Sequence, residues 1–400
     1  MSRADEFDLR QLPESFYDDP YPVYRRLREE TPVRRMPDGS VFLTRYADLT
    51  AVYHDAETFS SDKKREFAPK YGADSRLFRH HTTSLVFNDA PYHTRVRRSI
   101  LGALIPKALH RLEPKLETLV ARLLDQAEAL GGIEAIGEFA GAIPVEVIGD
   151  LLAIPDEDRA PLRGWSLAIL GALEPVLSAQ AQAQGEQSLA GFHDYLSTLI
   201  AERRKTPGDV ETDVLTRLIQ SEGEPLSEIE LAENCVFLLN AGHETTTNLI
   251  GNAIELLARF PGERARLIAQ PDLLRSAIEE VLRYESSNQL GNRVTTCETH
   301  IGDETLEAGT FVTLCIGAAN RDPEAFDDPE RFDIARHPNR HLAFAAGPHQ
   351  CAGMYLARME ARIALGALLK RFPDYALDGQ PARSRRARFR GFTEMKIRLR

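Results

Sequence analysis

A cysteine near the end of the chain has neighbours that favour a reactive thiolate. Cys351 lies in the segment Phe344-Ala-Ala-Gly-Pro-His-Gln-Cys351-Ala-Gly353, a loop rich in Gly and Pro that leads into a helix predicted from about Cys351 to Leu369. Backbone N–H groups and the positive end of a helix dipole lower the pKa of a thiol at such a position. The spacing alone leaves three interpretations open: a metal ligand, a nucleophile with His349 as its base, and a buried structural cysteine.

Two further segments place ionisable groups at helical spacing. His93 and Arg97 are four residues apart and could bind an anion together, although a solvated basic helix face has the same pattern. Glu280 and Arg283, in Glu280-Val-Leu-Arg283, could form an ion pair, which is also common on helix surfaces. Neither pair identifies a function by itself.

The longest predicted helix contains residues that form helices poorly. Ser227 and Glu230 have the spacing of a capping box, and apolar positions recur from there to Phe260. The segment Asn240-Ala-Gly-His-Glu-Thr-Thr-Thr247 lies in its middle and predicts a local distortion, because Gly and β-branched Thr weaken a helix. A helix of this length predicts a central spine of the fold.

Helix outweighs strand in the rest of the predicted secondary structure. Another helix is predicted at Pro271–Tyr284, and strand-like alternation occurs at Ser40–Tyr46 and in short pieces between Arg293 and Ile316. No repeat or linker divides the chain. We therefore predict one mainly α domain over residues 1–400 with minor β-sheets.

The composition argues against several classes of function. A net charge of -11 is unfavourable for general binding to nucleic acid or to an anionic membrane. The four cysteines show no framework spacing, the first residues lack the apolar core of a signal peptide, and no run reaches roughly 18 apolar residues. We expect a soluble cytoplasmic protein.

The cysteine segment resembles the haem-binding loop of the cytochrome P450 family, whose pattern is F-x-x-G-x-H-x-C-x-G. The matching residues are Phe344, Gly347, His349, Cys351 and Gly353. The resemblance implies that haem b is the cofactor and that Cys351 is the thiolate ligand of its iron. The family usually has Gly where this chain has Ala345, and the extra methyl group should tighten the loop.

The middle of the long helix is similar to the oxygen-binding groove of the same family, A-G-x-[DE]-T. Ala241, Gly242, Glu244 and Thr245 match that pattern. The resemblance implies that the Thr245 hydroxyl competes for helix hydrogen bonds and contacts dioxygen, while Glu244 supplies protons. This acid–alcohol pair argues against two alternatives, a peroxide-driven haem enzyme and a haem sensor without catalysis.

Other residues acquire roles from the resemblance. The implied haem-propionate ligands are His93, Arg97, Arg293 and His349. The implied structural Glu–Arg–Arg network is Glu280, Arg283 and Arg331. The implied substrate pocket is lined by Leu85, Val86, Phe237, Leu238, Ala241, Asn288, Gln289, Leu290, Phe392 and Thr393.

Two basic stretches are interpreted as solvated loops. The first is Lys63–His81, for which selection of an acidic substrate is the alternative, and the second is Arg383–Arg390. Ser286-Ser-Asn-Gln289 also departs from bacterial relatives, which usually have a proline there, so the turn into the strand beside the pocket should be looser.

The resemblance implies a monooxygenase with the long helix over the haem. Thiolate donation from Cys351 would favour O–O cleavage, so that one oxygen atom of O2 enters a small organic substrate by hydroxylation or dealkylation. Because the family fold takes up the whole chain, electrons should come from a ferredoxin, or a flavodoxin, with its NAD(P)H-dependent reductase. Arg95, Arg98, Lys107 and Arg358 could form a basic patch for an acidic partner, although solvated surface charge has the same pattern.

Overall fold

Helices dominate the structure, a computed structural model that describes residues 6–102, 104, 109–220 and 225–399. Their bounds are α1 (Glu14–Asp18), α2 (Tyr21–Glu30), α3 (Tyr46–His54), α4 (Lys64–Tyr71), α5 (Arg76–Thr83), α6 (Tyr92–Leu101), α7 (Glu113–Leu130), α8 (Ala142–Leu151), α9 (Leu162–Gly171), α10 (Ala179–Lys205), α11 (Val214–Ile219), α12 (Glu228–Arg259), α13 (Pro261–Ala269), α14 (Leu274–Tyr284), α15 (Ile316–Ala319) and α16 (Met354–Arg371). Shorter turns are a π-helical one at Ala135–Ala140 and 3₁₀ turns at Leu85–Phe87, Asp156–Asp158, Pro271–Leu273 and Gly347–His349. The predicted mainly α class is confirmed.

The strands form small sheets at the edges of the helical body. They are β1 (Val33–Arg35), β2 (Val41–Leu43), β3 (Phe59–Ser60), β4 (Gly132–Glu134), β5 (Leu290–Thr295), β6 (Thr299–Ile301), β7 (Glu304–Leu306), β8 (Phe311–Cys315), β9 (Ala376–Leu377), β10 (Ala382–Arg383), β11 (Phe392–Glu394) and β12 (Lys396–Arg398). The largest sheet has the order β1-β2-β8-β5-β3, with β2 and β8 parallel and the other neighbours antiparallel. It therefore joins the start of the chain to its last third.

The long helix α12 lies at the centre of the fold. Its capping box is present, with Ser227 accepting from the Glu230 N–H and Glu230 accepting from the Ser227 N–H. The residues in which a distortion is predicted do not break the helix, which is continuous through residues 240–247. The hydroxyls of Thr245 and Thr247 donate back to the carbonyls one turn earlier, each over 2.9 Å, without interrupting the backbone pattern.

Two apolar clusters meet beside α12. The main core surrounds this helix, and a second cluster packs under the largest sheet. Leu249 belongs to the first cluster, Ile316 to the second, and both contribute to the lining of one cavity. None of the described helices combines the length and the apolar character that crossing a bilayer requires.

Candidate active site

The cysteine loop and the middle of α12 line one cavity of about 340 Å³. Cys351 and Phe344 reach it from the loop, and Ala241, Gly242 and Thr245 reach it from the helix. We call the loop side, residues 343–353, the proximal side and the α12 side the distal side. Most of the other lining residues are apolar, which is typical of a site for an organic ligand.

The backbone of the cysteine loop closes before α16 begins. The Cys351 N–H donates to the Phe344 carbonyl over 2.9 Å. Two residues have positive φ, Ala345 at 55° and Gly347 at 67°. A Cβ on Gly347 would lie 2.1 Å from the Tyr53 carbonyl oxygen, so this position needs glycine. Ala345 holds the left-handed conformation despite its Cβ, which accounts for the glycine of the family pattern there.

The Cys351 thiol lies just before the helix rather than in its first turn, since α16 begins at Met354. Burial raises the pKa of this thiol, and the Gly353 N–H and the charges of Arg97 and Arg358 offset the effect only in part. The expected lowering is therefore wrong for the protein alone. A cation at the sulfur, such as a ligated metal, would favour the thiolate.

Four basic side chains meet at one edge of the cavity. The rings of His93 and His349 have centroids 3.9 Å apart, and Arg97 and Arg293 contribute to the same lining. Burial, followed by the charges of Arg293, His93 and Arg97, lowers the pKa of His349 to about 2. In the described part of the chain, Arg97 and Arg293 donate only to the carbonyls of Gln350 and Asn292 and have no carboxylate at ion-pair distance.

These residues fit a haem. The Nε2 atom of His93 is buried without a hydrogen-bond partner among the described residues, and clustered cations without carboxylates favour binding of an anionic group. Within the described ranges, no group of three or more His, Cys, Asp or Glu side chains could hold a metal ion by itself. A metal at Cys351 would therefore arrive within a cofactor that supplies most of its ligands.

On the distal side, the acid and the alcohol of the predicted pair face different ways. Thr245 lines the cavity, and its hydroxyl donates to the Ala241 carbonyl over 2.9 Å. Both carboxylate oxygens of Glu244 accept from Nη1 of Arg386, at 2.6 and 2.7 Å. Burial raises the pKa of Glu244 to about 7, although Arg386 acts in the opposite direction. Gly242 packs closely, because a Cβ there would lie 2.8 Å from Ile148.

The structural network contains a different second arginine from the predicted one. Glu280 and Arg283 have no exposed surface and form two hydrogen bonds of 2.8 Å. The side chain of Arg336 donates to Glu280 over 3.2 Å. The side chain of Arg331 is 63% exposed, and only its carbonyl takes part, accepting from Arg283 and Arg336. We call Glu280, Arg283 and Arg336 the proximal brace.

Seven of the predicted pocket residues line the cavity. They are Leu85, Val86, Phe237, Leu238, Ala241, Asn288 and Leu290. The prediction is wrong for Gln289, whose side chain turns to the Ser286 carbonyl and to Gly317. It is also wrong for Phe392, which packs in the main core, and for Thr393, which is exposed. Both lie on β11 beyond the segment that enters the cavity.

The arginine-rich segment 383–390 is the part of the site that sequence reasoning missed. Arg386 holds Glu244, Arg388 lines the cavity with Phe389, and Arg390 binds Glu285. Of the five arginines in segment 383–390, only Arg385 is exposed. Ala387 and Phe389 are buried among them, and this alternation of apolar residues with arginines could have indicated a packed segment.

The stretch Lys63–His81 is also not a solvated loop. It forms α4 and α5, and Lys63, His80 and His81 are buried while Lys64 and Arg79 are exposed. His80 and His81 line the cavity. The carboxylate of Glu233 accepts from His80 and His193, and although burial acts in the other direction these bonds hold the pKa of Glu233 well below its usual range.

The predicted basic patch is largely neutralised. Arg95 binds Glu230, and Arg358 forms two bonds of 2.7 Å with Glu279. Lys107 lies outside the described residues. Arg98 is exposed.

Comparison with known proteins places this site in a family. Residues 173–384 match the family model described as Cytochrome P450. The chain is 36% identical to Cytochrome P450 107B1 of Saccharopolyspora erythraea, over 95% of this chain and 94% of that one. It is also 36% identical to Vitamin D(3) 25-hydroxylase of Pseudonocardia autotrophica, over 91% and 89% of the two chains.

A solved structure agrees with these sequence matches. P450BioI, in complex with an acyl carrier protein ligated to hexadec-9Z-enoic acid, superposes with a TM-score of 0.92 at 32% identity, over 97% of this chain and all of that one. The enzyme class and the cofactor of the present chain follow from its similarity to the family model and to these relatives. The chain belongs to the cytochrome P450 family, and it is a haem-containing monooxygenase.

Proposed function

We propose that Cys351 holds the haem iron from the proximal side, that Thr245 and Glu244 deliver protons on the distal side, and that an apolar organic substrate lies beside them. The observation that carries this proposal is that Cys351 and Thr245 reach the same cavity from two separate elements. A cofactor bound to the sulfur would therefore face a hydroxyl group rather than an entirely apolar wall.

Different residues of the chain would bind the iron and the propionates of the cofactor. Cys351 would ligate the iron, and His93, Arg97, Arg293 and His349 would bind the propionates, since these four meet at one edge of the cavity. When bound, the haem supplies the activation of dioxygen, which thiolate donation favours.

Proton delivery would depend on the position of Glu244. A carboxyl group with a pKa near 7 can both bind and release a proton at neutral pH, and burial brings Glu244 into that range. Arg386 positions this carboxylate beside the helix, and the Thr245 hydroxyl occupies the cavity wall one residue further on. Because the two groups face different ways, we propose that Glu244 turns away from Arg386 to pass its proton towards the Thr245 hydroxyl.

The lining favours a substrate with a large apolar part. Leu85, Phe237 and Leu238 supply aliphatic and aromatic surface from two elements. The relative named as a vitamin D3 hydroxylase and the neighbour solved with a fatty-acyl carrier protein both engage molecules of that kind, which supports the same class for this chain.

Family members of this kind need an electron donor, and we propose a ferredoxin with its NAD(P)H-dependent reductase. Arg98 is exposed on α6, and Tyr355 exposes 48% of its surface four residues after Cys351. Arg97 of the same helix donates to the Gln350 carbonyl, which joins α6 to the cysteine loop, so an acidic partner bound at this helix would lie on the side of that loop. Arg98→Glu should raise the KM for ferredoxin several-fold and leave dithionite reduction unchanged, whereas an unchanged KM would contradict this docking face.

We further propose that residues 1–400 act as one cytoplasmic domain. The main core contains residues from Phe67 to Ile397 and so joins distant parts of the chain. The four cysteines are free thiols, which is typical of a reducing compartment.

The proton-delivery proposal is tested by labelled oxygen. With ferredoxin, reductase, NADPH and ¹⁸O₂, the wild type should yield a product that carries one ¹⁸O atom from a library of apolar compounds. Thr245→Ala should keep its haem but consume more NADPH per product, and Thr245→Ser should restore coupling because it keeps the hydroxyl. Equal coupling in all three, or equal product from hydrogen peroxide alone, would contradict the proposal.

A further inference from the structure

The cavity lining contains a cationic side chain besides those of the proposed propionate ligands. Arg388 contributes to the lining from the segment between β10 and β11. Its Nε atom donates to the Leu173 carbonyl over 3.3 Å and its Nη1 atom donates to the Leu290 carbonyl over 2.8 Å. Its Nη2 atom donates to Oδ1 of Asn292. These contacts use three of the five N–H groups of a guanidinium and leave one on each terminal nitrogen.

The charge of Arg388 is not neutralised by an ion pair. All three of its acceptors are neutral oxygens, and the described residues place no carboxylate at ion-pair distance from the guanidinium. Glu174 is near, but its Oε2 atom accepts from the backbone N–H groups of Ala387 and Arg388, at 2.9 and 3.3 Å. Burial raises the pKa of Glu174, and Arg388 offsets this only in part.

The helices packed against this place add positive charge. Lys63 and Lys70 of the adjoining segment interact electrostatically with Arg388, as does the buried ring of His81. Burial lowers the pKa of both lysines to about 8. The opposing carboxylates are Glu66, which lies 3.4 Å from Lys63, and Glu174. The cationic side chains at this place, which are Arg388, Lys63, Lys70 and Arg293, therefore outnumber the acidic ones, Glu66 and Glu174. This excess favours a further negative charge.

We propose that Arg388 binds the carboxylate of an otherwise apolar substrate and so orients that substrate in the cavity. The N–H group left on either terminal nitrogen can donate a charge-assisted hydrogen bond to a carboxylate oxygen. The apolar body of such a substrate would lie along Leu85, Phe237 and Leu238. This inference rests on the proposed function, because it names the substrate class of the same site.

A purely structural role for Arg388 is the competing explanation. In that role it would clamp Leu173 to β5 through the Leu290 carbonyl and Asn292. The two explanations differ in one respect. A clamp would affect the binding of all ligands alike, whereas a carboxylate ligand would discriminate between an acid and an alcohol of the same shape.

The test is a pair of spin-state titrations of the ferric holoenzyme. One probe is a medium-chain fatty acid at a pH where it is ionised, and the other is the fatty alcohol of the same length. The wild type should bind the acid about tenfold more tightly than the alcohol, a ratio that one charge-assisted contact provides. Arg388→Gln should reduce that ratio to within about twofold while the affinity for the alcohol changes little.

Two further variants keep the test decisive. Arg385→Gln is the matched control, because Arg385 is exposed on the same segment and forms ion pairs with Glu14 and Asp18 at the surface. It should keep the preference for the acid. If Arg388→Gln yields no holoenzyme, Arg388→Lys replaces it, and a preference for the acid reduced several-fold is expected.

Equal binding of acid and alcohol by the wild type would overturn the proposal, as would a full preference for the acid in an Arg388 variant. The ferrous–carbon monoxide spectrum separates this failure from failure of the site as a whole. A normal thiolate band with no preference for the acid contradicts the role of Arg388 alone, whereas a missing band contradicts the proposed function.

Discussion

The proximal brace and the Glu244–Arg386 pair are both buried ion pairs, but their surroundings differ. Glu280 accepts from Arg283 and Arg336, from the side chain of Asn339 and from the backbone N–H of Asp333. Glu244 accepts only from one nitrogen of Arg386 among the described residues, and burial raises its pKa to about 7.

The difference separates a structural carboxylate from one that can exchange a proton. Donors from four residues hold Glu280 in place as a fixed part of the network. A single partner does not fully compensate the desolvation of Glu244, which leaves its protonated and ionised forms close in free energy at neutral pH. Burial of an ion pair alone therefore does not reveal its role, and the number of donors does.

The largest effect is expected from removing the acid of the proximal brace. Glu280→Ala leaves the buried guanidinium of Arg283 without its carboxylate, which should cost about 3–5 kcal/mol of unfolding free energy. Urea unfolding and haem content would measure this loss. Arg331→Gln is the control, because its side chain is exposed; a cost above about 0.5 kcal/mol there would contradict the assignment of Arg336 to the brace.

The raised pKa of Glu244 should make the stability of the folded protein depend on pH in the opposite sense from a carboxylate whose pKa is lowered by an ion pair. Its pKa is about 7 in the folded protein against an ordinary 4.5, so between these values the unfolded chain binds fewer protons. The folded state then loses stability as the pH rises through that window, by roughly 3 kcal/mol. Glu244→Gln should flatten this part of the curve, and urea midpoints at pH 5 and pH 8 would measure the change. An unchanged slope would contradict the raised pKa.

Arg386 should set the pH dependence of coupling. Its charge favours ionised Glu244, so Arg386→Gln should raise the pKa of that carboxyl and move the pH profile of product per NADPH by about one unit to the alkaline side. Arg385→Gln should leave the profile in place, since Arg385 lies at the surface. A shift to the acid side, or none, would show that Glu244 does not govern the profile.

The smallest effect concerns the strained turn of the proximal side. Ala345 has a φ of 55°, and Ala345→Gly should stabilise the folded protein by about 0.5–1 kcal/mol because glycine adopts this conformation without a Cβ penalty. Thermal unfolding would measure the gain. Ala346→Gly, at a neighbouring residue with φ of -146°, should not stabilise, and equal gains in both would contradict the strain.

Features encoded locally could be predicted from the sequence. The capping box at Ser227 and Glu230 fixed the start of α12, and the Gly and Pro residues around Cys351 indicated a loop before a helix. The Glu280–Arg283 pair follows from helical spacing alone. In each case the interacting groups lie within a few residues of one another.

Features that depend on distant contacts could not be predicted. Arg386 meets Glu244 across 142 residues, and Arg336 meets Glu280 across 56. A run of arginines has the composition of a solvated loop. Acids and carbonyls from distant parts of the chain, such as Glu244, Glu285 and the Leu290 carbonyl, make it a buried segment. Whether Gln289, Phe392 and Thr393 line the cavity depends on which face of a turn or strand points inward. A shift of one residue reverses that face, and the structure turns these three side chains away from the cavity.

The ligand of the iron can be tested directly by the ferrous–carbon monoxide spectrum. The wild type should show the red-shifted band that marks a thiolate ligand. Cys351→Ala should lose that band, while Cys235→Ala, which removes a thiol buried in the core away from the cavity, should keep it. A thiolate band that persists in Cys351→Ala, or one that is absent from the wild type, would contradict the assignment of Cys351 as the haem ligand.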